Sequence, residues 1–178
     1  MIKKILLSLG VLLVPGLALA GGHGADLQMS DGVGVSFWII SIAMVASTVF
    51  FILERDKVSA KWKTSLSVAA LVTLIAAVHY FYMRDVWVAS GDSPTVFRYI
   101  DWLLTVPLQM VEFYLILAAV TAVSVGVFWR LLIGTLVMLF GGFAGEAGIM
   151  SHMTGFMIGM IGWISILYEM FAGEAGKS

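Results

Sequence analysis

The chain has 178 residues, of which 61% are hydrophobic and only 12% are charged, and its mean hydropathy is +1.02. A soluble domain carries about twice that proportion of charged residues, so the composition indicates that lipid surrounds most of the chain. The formal charge is -1, and no basic cluster is present that could bind nucleic acid. Cysteine is absent, and His23, His79 and His152 are widely separated. We therefore expect neither a disulfide framework nor a metal site.

The first 32 residues have the pattern of an exported segment. Lys3 and Lys4 precede an apolar run that ends in Ala-Leu-Ala at 18–20, a small-x-small cleavage site. We expect residues 1–20 to be a signal peptide and the polar, glycine-rich residues 21–32 to be an exported N-terminal tail. An uncleaved first membrane helix is the alternative, but the run is short and contains Pro15 and Gly16.

Five apolar segments follow, and each is about long enough to cross a hydrocarbon layer that needs ~20 helical residues. They are long and lack period-2 alternation, which favours helices over barrel strands. The predicted fold is therefore an all-α membrane protein with one transmembrane domain over 33–178. The approximate bounds of the five spans are 33–53, 64–83, 98–122, 129–150 and 154–172.

The distribution of basic residues predicts the orientation of these spans. If the tail is outside, only Arg84 and Arg98 lie on the outer side. Cytoplasmic connections hold an excess of Lys and Arg in membrane proteins, so this arrangement places the N-terminus outside. The inner side then holds Arg55, Lys57, Lys61, Lys63, Arg130 and Lys177.

Two carboxyl groups stand out in the third span, where each charge costs at least ~2.5 kcal/mol at mid-bilayer. Asp101 and Glu112 are eleven residues apart, so on a helix they face nearly the same way at depths about 16 Å apart. Pro107 lies between them and cannot donate its backbone hydrogen bond, which loosens the helix. The pattern suits stepwise proton transfer, with Asp101 as acceptor near the exported side and Glu112 as donor toward the cytoplasm.

Four other ionisable residues lie in or near the spans. His79 is at a depth comparable to that of Asp101, so a pair between two helices is open; the alternative is a core histidine that a backbone carbonyl satisfies. Arg98 lies one turn outside Asp101 and either belongs to the functional charges or extends to the membrane interface. Glu146 has many glycine neighbours, which favours an interhelical hydrogen bond, and Glu169 is expected to be solvated.

The third span and its flanking motifs carry a family resemblance. The span reads RYIDWLLTVPLQMVEFYLILAA, preceded by ERDKVSAKWKTS and GDSPTVF and followed by GEAGIM and YEMFAGE. From about Gly34 to Gly176 the chain resembles the proteorhodopsins, the bacterial members of the microbial retinal-binding rhodopsins. The resemblance implies a seven-helix bundle that binds all-trans retinal as a protonated Schiff base. It also implies a light-driven outward proton pump, which is a transporter and not an enzyme.

The resemblance also implies roles for single residues. Asp101 would be the primary proton acceptor and counterion, His79 its hydrogen-bonded partner, Glu112 the proton donor, and Arg98 the residue that orders the exit-side charges. Gln109, eight residues after Asp101 and nearly on its face, would match the spectral-tuning position at which glutamine marks blue-absorbing members. The retinal pocket would further include Trp102, Thr105, Met138, Gly142 and Trp163.

One feature departs from the family pattern. The family attaches retinal to a lysine of the seventh helix, whereas lysines here stand only at 3, 4, 57, 61, 63 and 177. None of these can lie at mid-membrane, so we expect the sequence to be a fragment of a longer gene, with five helices of an incomplete seven-helix bundle. Taken literally, the truncated chain would not form the pigment.

Two other functions stay open at this point. A sensory rhodopsin of the same fold would signal through a partner, although a fast proton donor at Glu112 argues against it. A five-helix structural membrane protein without a chromophore would use its buried acids only for pairing. For the pump, the resemblance implies the bacterial inner membrane, lipid and retinal as partners, and a homo-oligomer.

Overall fold

The computed structural model describes residues 28 and 30–177. Within them, five helices are long and apolar enough to cross a membrane, which confirms the predicted all-α membrane class. The predicted signal peptide, 1–20, and residues 21–27 and 29 of the predicted tail lie outside the described residues. The helices are α1 (Gly32–Glu54), α2 (Ala60–Ser90), α3 (Thr95–Val120), α4 (Val125–Glu146) and α5 (His152–Phe171), followed by the short α6 (Glu174–Lys177).

Each long helix packs against the next one along the chain, from α1 and α2 through to α4 and α5. The connections between them are short, so neighbouring helices run antiparallel. The connections 54–60 and 120–125 therefore share one end of the bundle with α6. The connections 90–95 and 146–152 share the other end, where α1 begins.

The ends of the helices differ from the predicted ends. The second helix is longer, 60–90 instead of 64–83, because it continues through polar residues that hydropathy assigns to connections. It stops at Gly91, whose φ of 71° is the left-handed conformation that ends many helices. The fourth helix ends at Glu146 and not at 150, because Gly148 turns the chain with a φ of 72°.

Asp31 fixes the start of α1 to the end of α2. Its Oδ1 accepts a hydrogen bond of 2.9 Å from the backbone N–H of Gly34, which caps the first turn of α1. The indole Nε1 of Trp87 donates to both carboxylate oxygens at 3.1 Å. The hydrogen bond from Gly34, with a smaller contribution from Trp87, lowers the pKa of Asp31.

Glycines bring the backbones of α4 and α5 into direct contact. A Cβ atom added to Gly155 would lie 2.6 Å from Cα of Gly145 and 2.7 Å from the carbonyl oxygen of Gly141. On the next turns of the interface, a Cβ at Gly162 would lie 2.5 Å from the carbonyl oxygen of Gly134. Small residues allow such close approach between membrane helices, as the glycine-rich sequence around Glu146 predicts.

An ion-pair network at the α6 end corrects the prediction for Glu169. Only 5% of Glu169 is exposed, and its carboxylate accepts hydrogen bonds of 2.8 and 3.1 Å from Arg130. Arg130 also donates to Glu174 at 2.7 Å, and Glu174 accepts from both the backbone N–H and the hydroxyl of Ser124. The prediction of a solvated Glu169 is wrong because α6 covers it, with the Ala175 N–H donating to Oε1 at 3.3 Å.

Candidate functional site

Asp101 lies in the second turn of α3 and faces α2. It is 3% exposed, and its Oδ1 is 3.5 Å from Nδ1 of His79. Within the described part of the chain, no group forms a hydrogen bond with that oxygen. Because a buried acceptor without a partner is costly, the carboxyl is poised to take a proton or to face a cation.

His79 of α2 satisfies both of the alternatives that the sequence left open. Its Nδ1 is 2.9 Å from the carbonyl oxygen of Ile75, one turn earlier in the same helix. A carbonyl can only accept, so in this hydrogen bond Nδ1 carries the hydrogen. The same N–H group therefore faces the Asp101 carboxyl at 3.5 Å, and the imidazole sits between a backbone acceptor and the buried acid.

The remaining polar residues of α3 differ in burial and in the helix face on which they lie. Thr105 is buried, and its hydroxyl donates a hydrogen bond of 2.9 Å to the backbone carbonyl of Asp101. Glu112 is half-buried, whereas Gln109 is exposed among the described helices. The expectation that Gln109 shares the face of Asp101 is wrong, because eight residues at 100° per residue leave an offset of about 80°. The offset between Asp101 and Glu112 is only about 20°.

Arg98 pairs with Glu146 instead of Asp101. Its Nη2 donates to Oε2 of Glu146 at 2.7 Å, and its guanidinium carbon lies 5.4 Å from the ring centre of Trp102. The hydroxyl of Tyr99 donates to the other oxygen, Oε1, of Glu146 at 3.1 Å. The predicted interhelical role of Glu146 is therefore confirmed, with α3 supplying both donors.

An apolar cleft of about 600 Å³ lies between α3, α4 and α5. Four residues that the resemblance assigns to a retinal pocket line it, namely Trp102, Met138, Gly142 and Trp163. Thr105 and Gln109, assigned to the same pocket, are not among the residues that line the cleft. Sequence reasoning missed other lining residues that lie three, four or seven positions from Trp102 or Trp163 on the same helices, a spacing that could have identified them: Tyr99, Val106, Phe156 and Met160.

The cleft fits the polyene part of retinal. Its volume is within the range of about 300 to 1,000 Å³ that is typical of small-molecule pockets, and its walls are aromatic, aliphatic and glycine residues. Asp101 precedes Trp102 in the sequence but is not among the residues that line the cleft; its Oδ1, which no described hydrogen bond satisfies, faces α2. Among the described residues that line the cleft there is no lysine, so these walls provide apolar contacts and not a covalent link.

Comparison with known proteins gives consistent matches. A family model described as "Bacteriorhodopsin-like protein" matches residues 31–178. The blue-light absorbing proteorhodopsin of Gamma-proteobacterium Hot 75m4 is 60% identical over 176 residues, which are 98% of this chain and 68% of that protein. The green-light absorbing proteorhodopsin of Gamma-proteobacterium EBAC31A08 is also 60% identical, over 98% of this chain and 69% of that protein.

A solved structure shows the same arrangement of helices. The crystal structure of the blue light-absorbing proteorhodopsin from Med12 superposes with a TM-score of 0.73 and 57% sequence identity. The match covers 83% of this chain and 70% of that chain.

Proposed function

Because the chain belongs to the family of bacteriorhodopsin-like proteins, we propose that it serves as a light-driven outward proton pump with retinal as chromophore. Microbial rhodopsins are light-driven transporters rather than enzymes, and the apolar helices make the chain a multi-pass membrane protein. The observation that carries the proposal is the buried Asp101 carboxyl. It lies 3.5 Å from His79. The next residue in the sequence, Trp102, lines the cleft.

Bound retinal would supply absorption of visible light and a change of shape on illumination. The side chains of Trp102, Met138 and Trp163 would hold it through apolar contacts, and Gly142 would leave room for it. The atoms that line the cleft are almost entirely apolar, so they offer water few hydrogen bonds. With retinal bound and water displaced, the electrostatic influence of the Asp101 carboxyl on the chromophore would be stronger.

The residues of α2 and α3 would carry the proton. Asp101 would accept a proton at Oδ1, the oxygen that has no described hydrogen bond, and His79 would adjust how strongly that oxygen holds it. Glu112 would supply a proton from the opposite half of the membrane, about 16 Å farther along α3. Two carboxyls in different surroundings suit one acceptor and one donor.

The direction of transport follows from the proposed orientation. The excess of Lys and Arg on the side of connections 54–60 and 120–125 supports a cytoplasmic location for that end. Asp101 would then lie in the outer half of the bacterial inner membrane, with the N-terminus outside. Arg98 and Glu146, at the same end as Asp101, would form the exit-side charges. Family resemblance supports a homo-oligomer.

We assign the chain to the blue-absorbing class on the basis of Gln109. Blue- and green-absorbing relatives are equally identical to it, at 60%, so overall identity does not separate the two classes. Gln109 does not line the described cleft, and it is the family resemblance that assigns this position to the chromophore site. A polar amide there would stabilise the charge of the ground state relative to that of the excited state. A larger excitation energy means a shorter wavelength.

A pH measurement tests the pump. The complete translation product of the gene, including any residues encoded after Ser178, is expressed in bacterial cells that are supplied with all-trans retinal. Illumination in unbuffered medium should acidify the medium, and a protonophore should abolish the change. A coloured protein without acidification would support a sensory rhodopsin instead, and a colourless protein would support the chromophore-free structural alternative.

A further inference from the structure

We propose that Tyr99 is a positioning residue: held by Glu146, it fixes Trp102 in the wall of the cleft and separates the cleft from a second apolar groove. The inference rests on the proposed function, since it concerns the same cleft. It adds Tyr99 and Glu146 to the residues that shape the chromophore site.

One carboxylate of α4 anchors two consecutive residues of α3. Glu146 accepts from Tyr99 at Oε1, at 3.1 Å, and from Arg98 at Oε2, at 2.7 Å. Both oxygens are therefore occupied by donors from the same turn of α3. This arrangement fixes the tyrosine hydroxyl and the guanidinium relative to each other.

Gly142 gives the tyrosine hydroxyl its place. A Cβ atom added to Gly142 would lie 2.8 Å from the hydroxyl oxygen of Tyr99. Gly142 is one helical turn before Glu146, so the absence of a side chain at 142 opens the path by which Tyr99 reaches the carboxylate. The absence of a side chain at Gly142 therefore leaves room for the Tyr99 hydroxyl as well as for the cleft.

Both groups that Glu146 holds are in contact with Trp102. The ring centres of Tyr99 and Trp102 are 5.2 Å apart at an interplanar angle of 75°, a favourable edge-to-face contact. The guanidinium carbon of Arg98 lies 5.4 Å from the Trp102 ring centre, within the range of cation–π attraction. Loss of the Glu146 carboxylate would therefore release both groups that hold the indole.

Tyr99 also separates two apolar spaces. A second groove of about 420 Å³ lies on the other side of it, between α3 and α4, and Ile100, Leu103 and Phe140 contribute to its walls. Tyr99 and Leu139 line both the cleft and this groove. The other three residues are exposed, which places the groove on the lipid-facing surface. Displacement of the Tyr99 ring would join the cleft to that surface.

The first test measures polyene binding without a covalent link. All-trans retinol, an alcohol that cannot condense with an amine, is titrated into the detergent-solubilised protein, and quenching of tryptophan emission is recorded. Tyr99→Phe, which removes only the hydroxyl, should weaken retinol binding by roughly three- to tenfold, because the ring then occupies the position that the cleft requires for only part of the time. Tyr99→Phe combined with Glu146→Ala should be no weaker than Glu146→Ala alone.

Tyr114→Phe is the matched control. It is the same substitution on the same helix, about 22 Å from Tyr99 along the axis, where the ring packs against Phe128. Its affinity for retinol should stay within twofold of the wild-type value. Glu146→Gln keeps an oxygen that can accept from Tyr99 and should bind retinol more tightly than Glu146→Ala.

The second test follows Trp102 itself and needs no ligand. In the long-wavelength tryptophan band of the near-ultraviolet circular dichroism spectrum, where tyrosine does not absorb, Tyr99→Phe should differ from the wild type. The difference in this band should disappear when both proteins also carry Trp102→Phe. An unchanged difference in that background, or unchanged retinol affinity in Tyr99→Phe, would overturn the positioning role. If wild-type protein does not bind retinol at all, the proposed cofactor site fails, while the dichroism comparison still decides the role of Tyr99.

Discussion

The Asp101 carboxyl and the His79 imidazole lie 3.5 Å apart, Oδ1 to Nδ1, across the interface of α3 and α2. The acid is 3% exposed, and the ring nitrogen that faces it is also 2.9 Å from the Ile75 carbonyl. The orientation of the imidazole is therefore set by its own helix. The Asp101 carboxyl therefore faces a group whose position is already fixed by α2.

Replacement of Asp101 by Asn should abolish outward pumping in the complete gene product and shift its absorption to the red. The amide cannot take up a proton, and the negative charge that stabilises the ground state of the chromophore is lost. The light-induced pH change and the visible spectrum measure the two effects. Asp92→Asn, in the exposed turn before α3, should change neither, and unchanged pumping in Asp101→Asn would refute the assignment.

Replacement of Glu112 by Gln should leave the colour nearly intact but slow the return to the ground state after a flash. The side chain is far from the cleft end of α3, about 16 Å from Asp101 along the axis, so it has little influence on the absorption. Because Gln has no proton to donate, the chromophore must be reprotonated from the solvent. Flash photolysis measures the rate, and a recovery as fast as that of the wild type would exclude Glu112 as the donor.

Under the proposed blue-absorbing assignment, replacement of Gln109 by Leu should shift the absorption to longer wavelength, because it removes the polar amide that the family resemblance assigns to the chromophore site. The absorption maximum of the pigment reports this directly. Leu104→Met, a neutral change at another exposed position of α3, should leave the maximum in place. A maximum that does not move in Gln109→Leu would remove the basis for the blue-absorbing assignment.

The sequence predicted the helical architecture well because each span is a continuous apolar run. It also placed His79 and Asp101 at similar depths, since counting residues from the helix ends needs no knowledge of packing. It did not predict α6, which has only four residues and lacks an apolar run of its own. For that reason Glu169 seemed to face water, whereas α6 covers it.

The part of the site that sequence reasoning missed depends on distant contacts. Tyr99 and Glu146 are 47 positions apart, and nothing in the local pattern around either residue indicates that they meet. The error at Gln109 was avoidable, because its position on α3 depends only on the helical period. That period places it about 80° from Asp101. Local periodicity therefore explains which residues share a helix face, while partners across helices require the packed bundle.

Replacement of Gly155 by Ala should destabilise the bundle by about 1 to 3 kcal/mol, the usual cost of overpacking. The new methyl group would meet Cα of Gly145 at 2.6 Å and the backbone oxygen of Gly141 at 2.7 Å, and backbone atoms cannot rotate away. Unfolding in mixed detergent micelles measures the loss. Gly32→Ala is the control, since a Cβ there has nothing within 4 Å, and equal stability of the two variants would contradict the close contact.

Replacement of Arg130 by Ala should measurably lower the free energy of unfolding. The change leaves the buried Glu169 carboxylate without its main partner, but the full cost of breaking a buried pair is reduced because Arg130 is half-exposed. Lys57→Ala, which breaks an exposed pair with Glu54, should change stability by less than about 0.5 kcal/mol. Arg130→Lys should be intermediate, since lysine cannot form the bidentate contact, and a neutral Arg130→Ala would contradict a stabilising network.

The contacts between α4 and α5 also have a mechanical consequence. Around Gly141, Gly145 and Gly155, backbone touches backbone, so no layer of side chains can compress, slide or rotate between the two helices. We therefore expect α4 and α5 to move together as one rigid unit. They are two of the three described helices that line the cleft. A change of shape inside the cleft would therefore act more readily on α3 than on this pair, and Pro107 gives α3 a point at which it can bend.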